Sequence, residues 1–194
     1  MLSISISKHL VTDNMQHDFD TFKPNLLKEI GFVKSEKYID FIDKHVNFQV
    51  NDSYGRKEIF SNCKNCFLIE RNEINDSKSL DLFLNISEDI KSICTSTYGE
   101  GLLENVQFSL VPPKGRIKEH FDTGLIFSLS HRLHLPIITN EDAFLFIDNN
   151  RFNLKVNQLV EINNKKMHFV ENNSDYDRIH LIIDYIPKKH LSYL

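Results

Sequence analysis

From Val106 onward the chain alternates apolar and polar residues in short runs. Val106, Phe108 and Leu110 are spaced by Gln107 and Ser109, the period of two expected of a strand with unlike faces. Pro112, Pro113 and Gly115 then predict a turn. Further strand-like runs lie at 117–122, 125–129, 133–138, 143–147, 151–156, 159–162, 168–171 and 178–186. Asp148-Asn149-Asn150-Arg151 reads as a hairpin turn. So many short strands in about 80 residues predict a sandwich or barrel, and a jelly-roll barrel best brings inward-pointing residues together.

The first half reads differently. Leu2, Ile4 and Ile6 alternate with serines, as in a short edge strand. Asp20 or Thr21 is placed to cap a helix through Leu26, Leu27 and Ile30, stopped by Gly31. Ser35, Tyr38, Phe41 and Ile42 start a second helix. Residues 51–57 are polar and turn-like, and one or two strands surround Phe60 and residues 66–70. Leu80, Phe83, Ile86, Ile90 and Ile93 space a third helix over 77–97. The expected organisation is one domain, 1–194. A helix-rich part at 1–105 packs on a strand-rich core at 106–187, giving a mainly β fold with a jelly-roll barrel.

Composition narrows the function little. A length of 194 residues, 41% hydrophobic, suits one soluble globular domain. A net charge of −4 provides no broad basic field, so no nucleic-acid partner is expected. No apolar run is long enough for a membrane span, and the N-terminus reads as lacking a signal peptide. The odd count of three cysteines, Cys63, Cys66 and Cys94, fits reduced thiols and a cytoplasmic location. Cys63-x-x-Cys66 is half of a zinc motif without its second pair.

His120-Phe-Asp122, His168 and Arg178 carry the candidate chemistry. His-x-Asp on a strand directs both side chains to one side, and a distant histidine completes one face of an octahedron. That donor set suits mononuclear non-haem iron(II), with positions left for a co-substrate and oxygen. Arg178 shares a strand face with His180 and Ile182, and Arg132 shares one with His134. Such a basic cluster inside a barrel calls for an anion, and 2-oxoglutarate would supply one. The competing reading pairs these arginines with Asp175, Asp177 or Glu141 at the rim.

Residues 105–187 resemble the aspartyl/asparaginyl β-hydroxylase-like iron(II)/2-oxoglutarate oxygenases. The resemblance rests on His120-Phe-Asp-Thr-Gly124, Arg132-Leu-His-Leu-Pro-Ile137, Met167-His168 and the segment from Asn172 to Asp184. It implies a double-stranded β-helix of the cupin-like jelly-roll kind as the catalytic core at 106–187, with His120 and His168 as catalytic iron ligands beside the Asp122 read above as the third, and Arg178 on the distal carboxylate of 2-oxoglutarate. Ser109, Arg132 and His134 would be further co-substrate contacts. It also implies dioxygen as oxidant and hydroxylation of an amino acid, or of an aspartyl or asparaginyl residue in a peptide or protein, with release of succinate and carbon dioxide. Animal peptidyl-aspartate hydroxylases of the family have glycine where this chain has Asp122, so the likeness is to the bacterial branch, which includes proline hydroxylases. The alternative is a non-catalytic cupin-like module binding a metal or small acid. Oligomeric state has no signature in the sequence.

Overall fold

The computed structural model describes residues 22–50, 59, 60, 62–70, 73–75 and 77–194. The expected strand at Leu2–Ile6 and the turn at 51–57 lie outside these residues. Twelve strands are described: β1 (Leu27–Phe32), β2 (Gln49–Val50), β3 (Lys64–Glu70), β4 (Glu73–Ile74), β5 (Gly101–Val111), β6 (Arg116–His120), β7 (His131–Ile138), β8 (Ala143–Ile147), β9 (Asn150–Phe152), β10 (Gln158–Ile162), β11 (His168–Asn172) and β12 (Arg178–Pro187). Four α-helices accompany them: α1 (Glu36–His45), α2 (Ser77–Ile86), α3 (Glu88–Tyr98) and α4 (Leu125–Leu129).

The strands form two antiparallel sheets. The larger runs β1-β10-β7-β12-β5-β3-β2, with β4 on β3; the smaller runs β6-β11-β8-β9. This is the double-stranded β-helix architecture implied by the family resemblance, although the sheets do not close into a continuous barrel. The turn between β8 and β9 places Asp148 (φ 50°) and Asn149 (φ 63°) in the left-handed region, where asparagine and aspartate cost least. Among the described residues, no helix is long and apolar enough to cross a membrane.

Each central strand of the larger sheet divides its residues between two environments. On one face Val106, Phe108 and Leu110 of β5, Leu133, Leu135 and Ile137 of β7, and Ile179, Leu181 and Ile183 of β12 form one cluster with Tyr38, Phe41, Leu80, Phe83 and Ile90 of the helices. The alternate positions, Asn105, Gln107 and Ser109 of β5, Arg132 and His134 of β7, and Arg178, His180 and Asp184 of β12, turn toward the smaller sheet. Both sets on β12 are buried, so only the chemistry of the side chains separates the two faces. A second cluster, including Val111, Ile117, Leu145, Ile147, Val160, Ile162 and Val170, joins the two sheets.

Phe108 anchors the helical layer. It is fully buried, stacked on Phe41 at 5.7 Å between ring centroids and edge-on to Phe83 at 6.3 Å. Phe108→Ala is expected to cost about 3–5 kcal/mol of stability. A urea unfolding curve checks this; a change below ~1 kcal/mol would mean the helices do not depend on this contact.

Several expectations need correction. Residues 27–32 form strand β1, not a helix. Leu27 packs toward the inner cluster while Ile30 packs on the helical one, so both faces of an extended strand are apolar. Its partner β10 lies far along the sequence, with Leu27 opposite Ile162. Gly31 stops no helix: it follows an irregularity in that ladder, where a Cβ would meet Ile93 at 2.8 Å. The apolar run 125–129 is helix α4 rather than a strand. It starts after Gly124 (φ 116°), and Ser128 Oγ donates to the Gly124 carbonyl at 3.2 Å. The helix expected over 77–97 is two, broken at Ser87. Phe60 lies outside any strand, and strand β9 stops at Phe152. Finally, the first half adds β1 to β4 to the larger sheet rather than only covering it with helices.

Candidate metal centre

Strand β11 lies between β6 and β8, with His168 directly opposite His120. Their ring centroids are 4.4 Å apart. Strand β6 ends at His120, so Asp122 belongs to the following loop rather than to the strand expected to carry it. The loop is held from the β10–β11 connection: Asp122 N donates to the Asn164 carbonyl at 2.9 Å, and Asn164 Nδ2 donates to Asp122 Oδ2 at 3.2 Å. Lys165 Nζ reaches the Asp122 carbonyl at 3.4 Å and Ser128 Oγ at 3.1 Å.

These elements bring one ligand atom each from His120, Asp122 and His168 within 4.8 Å of one another, the only His/Cys/Asp/Glu group so placed among the described residues. Both imidazoles are oriented alike. His120 Nδ1 bonds the Lys118 carbonyl at 2.7 Å, and His168 Nδ1 bonds the Lys166 carbonyl at 2.8 Å. A carbonyl only accepts, so Nδ1 carries the proton in each ring and the Nε2 lone pair is left for a metal. Burial and the neighbouring His168 lower the His120 pKa, which keeps that ring neutral. Burial raises the Asp122 carboxyl, but Arg132, His168 and His120 outweigh it and hold the group below its ordinary range. Two imidazole nitrogens and one carboxylate oxygen fit a divalent transition metal that keeps open positions. Cys63 and Cys66 join no such group. Cys63 is buried in the inner cluster, and its thiol is pushed up to about 11 by burial.

A cavity of about 280 Å³ opens beside this centre. It is lined by His120, Asp122 and His168, by Gln107, Ser109 and His134 of the larger sheet, and by Phe60, Phe67 and Phe127. Arg178 and His180 are not among the lining residues. They are buried next to Ser109 and His134, with His180 opposite Ser109 in the ladder and its ring centroid 5.9 Å from that of His134.

The predicted co-substrate residues therefore part company. Arg178 is 2% exposed and donates from Nη2 to His180 Nδ1 at 2.9 Å. Among the described residues, only Arg116 and Arg132 make arginine ion pairs, so Arg178 has no carboxylate partner. Burial draws its pKa down to about 9, and it remains cationic at neutral pH. Because His180 Nδ1 accepts, its proton sits on Nε2, a buried donor with no partner; His134 Nδ1 is likewise unpartnered. Burial holds both histidines neutral. Arg132, by contrast, is fully engaged: it pairs with Asp122 and Asp184, not with the rim acids Asp175, Asp177 or Glu141. His180 and Asn164 were not singled out as site residues by the sequence. The position of His180 two residues after Arg178 on one strand was a usable signal; Asn164 had none.

A family match to aspartyl/asparaginyl β-hydroxylase spans residues 46–187. The chain belongs to that family. It is an iron(II)- and 2-oxoglutarate-dependent dioxygenase, with iron(II), 2-oxoglutarate and dioxygen as the implied reactants. This sets aside the non-catalytic binding module. No curated protein matches the dioxygenase at significant similarity. Its fold is shared by an oxidoreductase of the 2OG-Fe(II) oxygenase family from Burkholderia pseudomallei (TM-score 0.64, 10% identity, 92% of this chain and 93% of that one). It is also shared by a prolyl-4-hydroxylase from Pseudomonas putida (0.56, 12%, 90% and 99%). A third similar structure is a prolyl hydroxylase from Trichoplax adhaerens, in complex with a hypoxia inducible factor oxygen degradation domain peptide fragment (0.59, 11%, 94% and 96%).

Proposed function

We propose that the dioxygenase hydroxylates an amino-acid unit, most favourably an aspartyl or asparaginyl residue within a peptide. In this reading His120, Asp122 and His168 hold the iron, and Arg178, His180, His134 and Ser109 take the carboxylate end of 2-oxoglutarate. The observation that carries it is the buried Arg178. A guanidinium without a carboxylate, beside an unpartnered imidazole N–H, is costly unless an anion completes it.

Iron(II) with 2-oxoglutarate and dioxygen supplies the oxidation: one oxygen atom goes to a substrate C–H, the other to succinate, and carbon dioxide leaves. The chain's own residues bind and orient. The two Nε2 atoms and Asp122 Oδ1 face one point, and their backbone-anchored Nδ1–H groups fix the rings. Phe60, Phe67 and Phe127 give the cavity an apolar lining that disfavours water. Asn65 lines the cavity and its Oδ1 is buried without a partner, ready to accept an amide N–H. That acceptor, and the peptide bound by the Trichoplax prolyl hydroxylase, support a peptide substrate. Cys63 and Cys94 are buried and form no disulfide, which supports a reducing compartment such as the cytoplasm.

The test is anaerobic titration of metal-free protein with iron(II) and then 2-oxoglutarate. A weak visible charge-transfer band requiring both is expected, followed by succinate release in air with peptides bearing Asp or Asn. No band at saturating metal and 2-oxo acid would sink the reading. Succinate release coupled to free amino acids but to no peptide would reverse the substrate assignment.

A further inference from the structure

The two oxygens of Asp122 have different surroundings. Oδ1 faces His120 Nε2 at 4.0 Å. Oδ2 accepts from Arg132 Nη1 at 2.7 Å and from Asn164 Nδ2 at 3.2 Å. The other edge of the same guanidinium grips Asp184 at two points, Nε to Oδ1 at 2.9 Å and Nη2 to Oδ2 at 2.7 Å. Asp184 is fully buried and further fixed by Asn105 Nδ2 at 2.9 Å and Ser130 Oγ at 3.4 Å. The Phe127 ring lies 4.7 Å from the guanidinium carbon. Arg132 and Asp184 are directly opposed in the β7–β12 ladder. A planar guanidinium cannot turn without breaking both bonds to Asp184, so the register of two central strands sets where Nη1 lies.

We infer that Arg132 is a positioning residue for the metal ligand: it occupies Oδ2 of Asp122, so that the carboxylate presents only Oδ1 to the metal. This rests on the reading of His120, Asp122 and His168 as the iron site. A carboxylate with both oxygens free can chelate and take a second coordination position. Holding Oδ2 keeps that position for the co-substrate or oxygen. Arg132 thus acts through Asp122, not as the direct co-substrate contact suggested by its place in the motif.

Cobalt(II) is a suitable probe, because its visible bands report coordination number and need no turnover. Its affinity and spectrum are compared in the wild type, Arg132→Met, Asp122→Ala and the double variant. Arg132→Met is expected to weaken cobalt binding about 10- to 100-fold, as for other groups that orient a metal ligand, and to shift the bands. In the Asp122→Ala background the same change should add nothing, since the oxygen it acts on is gone. Equal effects in both backgrounds, or an unshifted spectrum in Arg132→Met, would overturn the positioning role. Arg132→Met strands the buried Asp184. Should it fail to fold, Arg132→Gln with Asp184→Asn replaces the ion pair by amides, and the same cycle is run with that pair. A different failure identifies the underlying reading: if the wild type takes up no cobalt, or His168→Ala binds it as tightly, the metal site itself is wrong.

Discussion

Replacing His168 by alanine is expected to weaken iron(II) binding by about two to three orders of magnitude and to abolish succinate formation. A structural zinc site gains about 10–16 kcal/mol from four ligands, or roughly 2.5–4 kcal/mol for each, which corresponds to about that range. His168 is one of three ligand candidates, is nearly buried, and already has its Nδ1–H committed to the Lys166 carbonyl. The fold should survive. The variant loses one hydrogen bond and some packing beside Ile147 and His120, about 1–3 kcal/mol. Metal affinity by calorimetry and thermal melting of the metal-free protein separate the two effects. A His168→Ala protein that melts normally and holds iron within threefold of the wild type would remove His168 from the ligand set.

Arg178→Met is expected to divide stability from binding. In the ligand-free protein the guanidinium is a buried cation whose described polar partner is a neutral imidazole. Methionine has a similar reach and no charge, so the metal-free melting temperature should stay level or rise. Affinity for 2-oxoglutarate should fall by about 2–5 kcal/mol, roughly 30-fold to several thousand-fold, because a buried anion would lose its cation. Calorimetric titration of 2-oxoglutarate into the metal-loaded protein reads the second quantity. The opposite pattern, a clear loss of stability with unchanged affinity, would make Arg178 a structural residue and leave the co-substrate's carboxylate to Ser109 and His134.

The site was more legible than the N-terminal half. His120, Asp122 and His168 could be grouped because their residue types suit one metal and each falls at or beside a recognisable strand. Arg178 and Arg132 could be recognised as inward-facing by period-two alternation. Their partners could not, because each depends on strands distant in sequence. Asp184 opposes Arg132 only through the β7–β12 ladder, while Asn164 reaches Asp122 from another connection. Residues 27–32 were misread for the same reason: apolar spacing that fits a helix also fits a strand apolar on both faces. At 125–129 four of five residues are apolar, so periodicity had nothing to select on; the chain turns at Gly124, and the Ser128 hydroxyl donates back to the Gly124 carbonyl one turn earlier.

By itself, the sequence determined the strand-rich second half, the hairpin at Asp148–Asn149, the three metal-ligand candidates and the family. The first three follow from local alternation, turn chemistry and residue type, and the family from the resemblance of several motifs taken together. Only the tertiary structure decided which arginine is free for an anion. Arg132 and Arg178 carry the same group on strands of the same sheet. Register places Arg132 between two carboxylates and leaves Arg178 with a neutral histidine. Ionic roles depend on what lies within about 3 Å, and that distance is set by strand pairing across the whole chain.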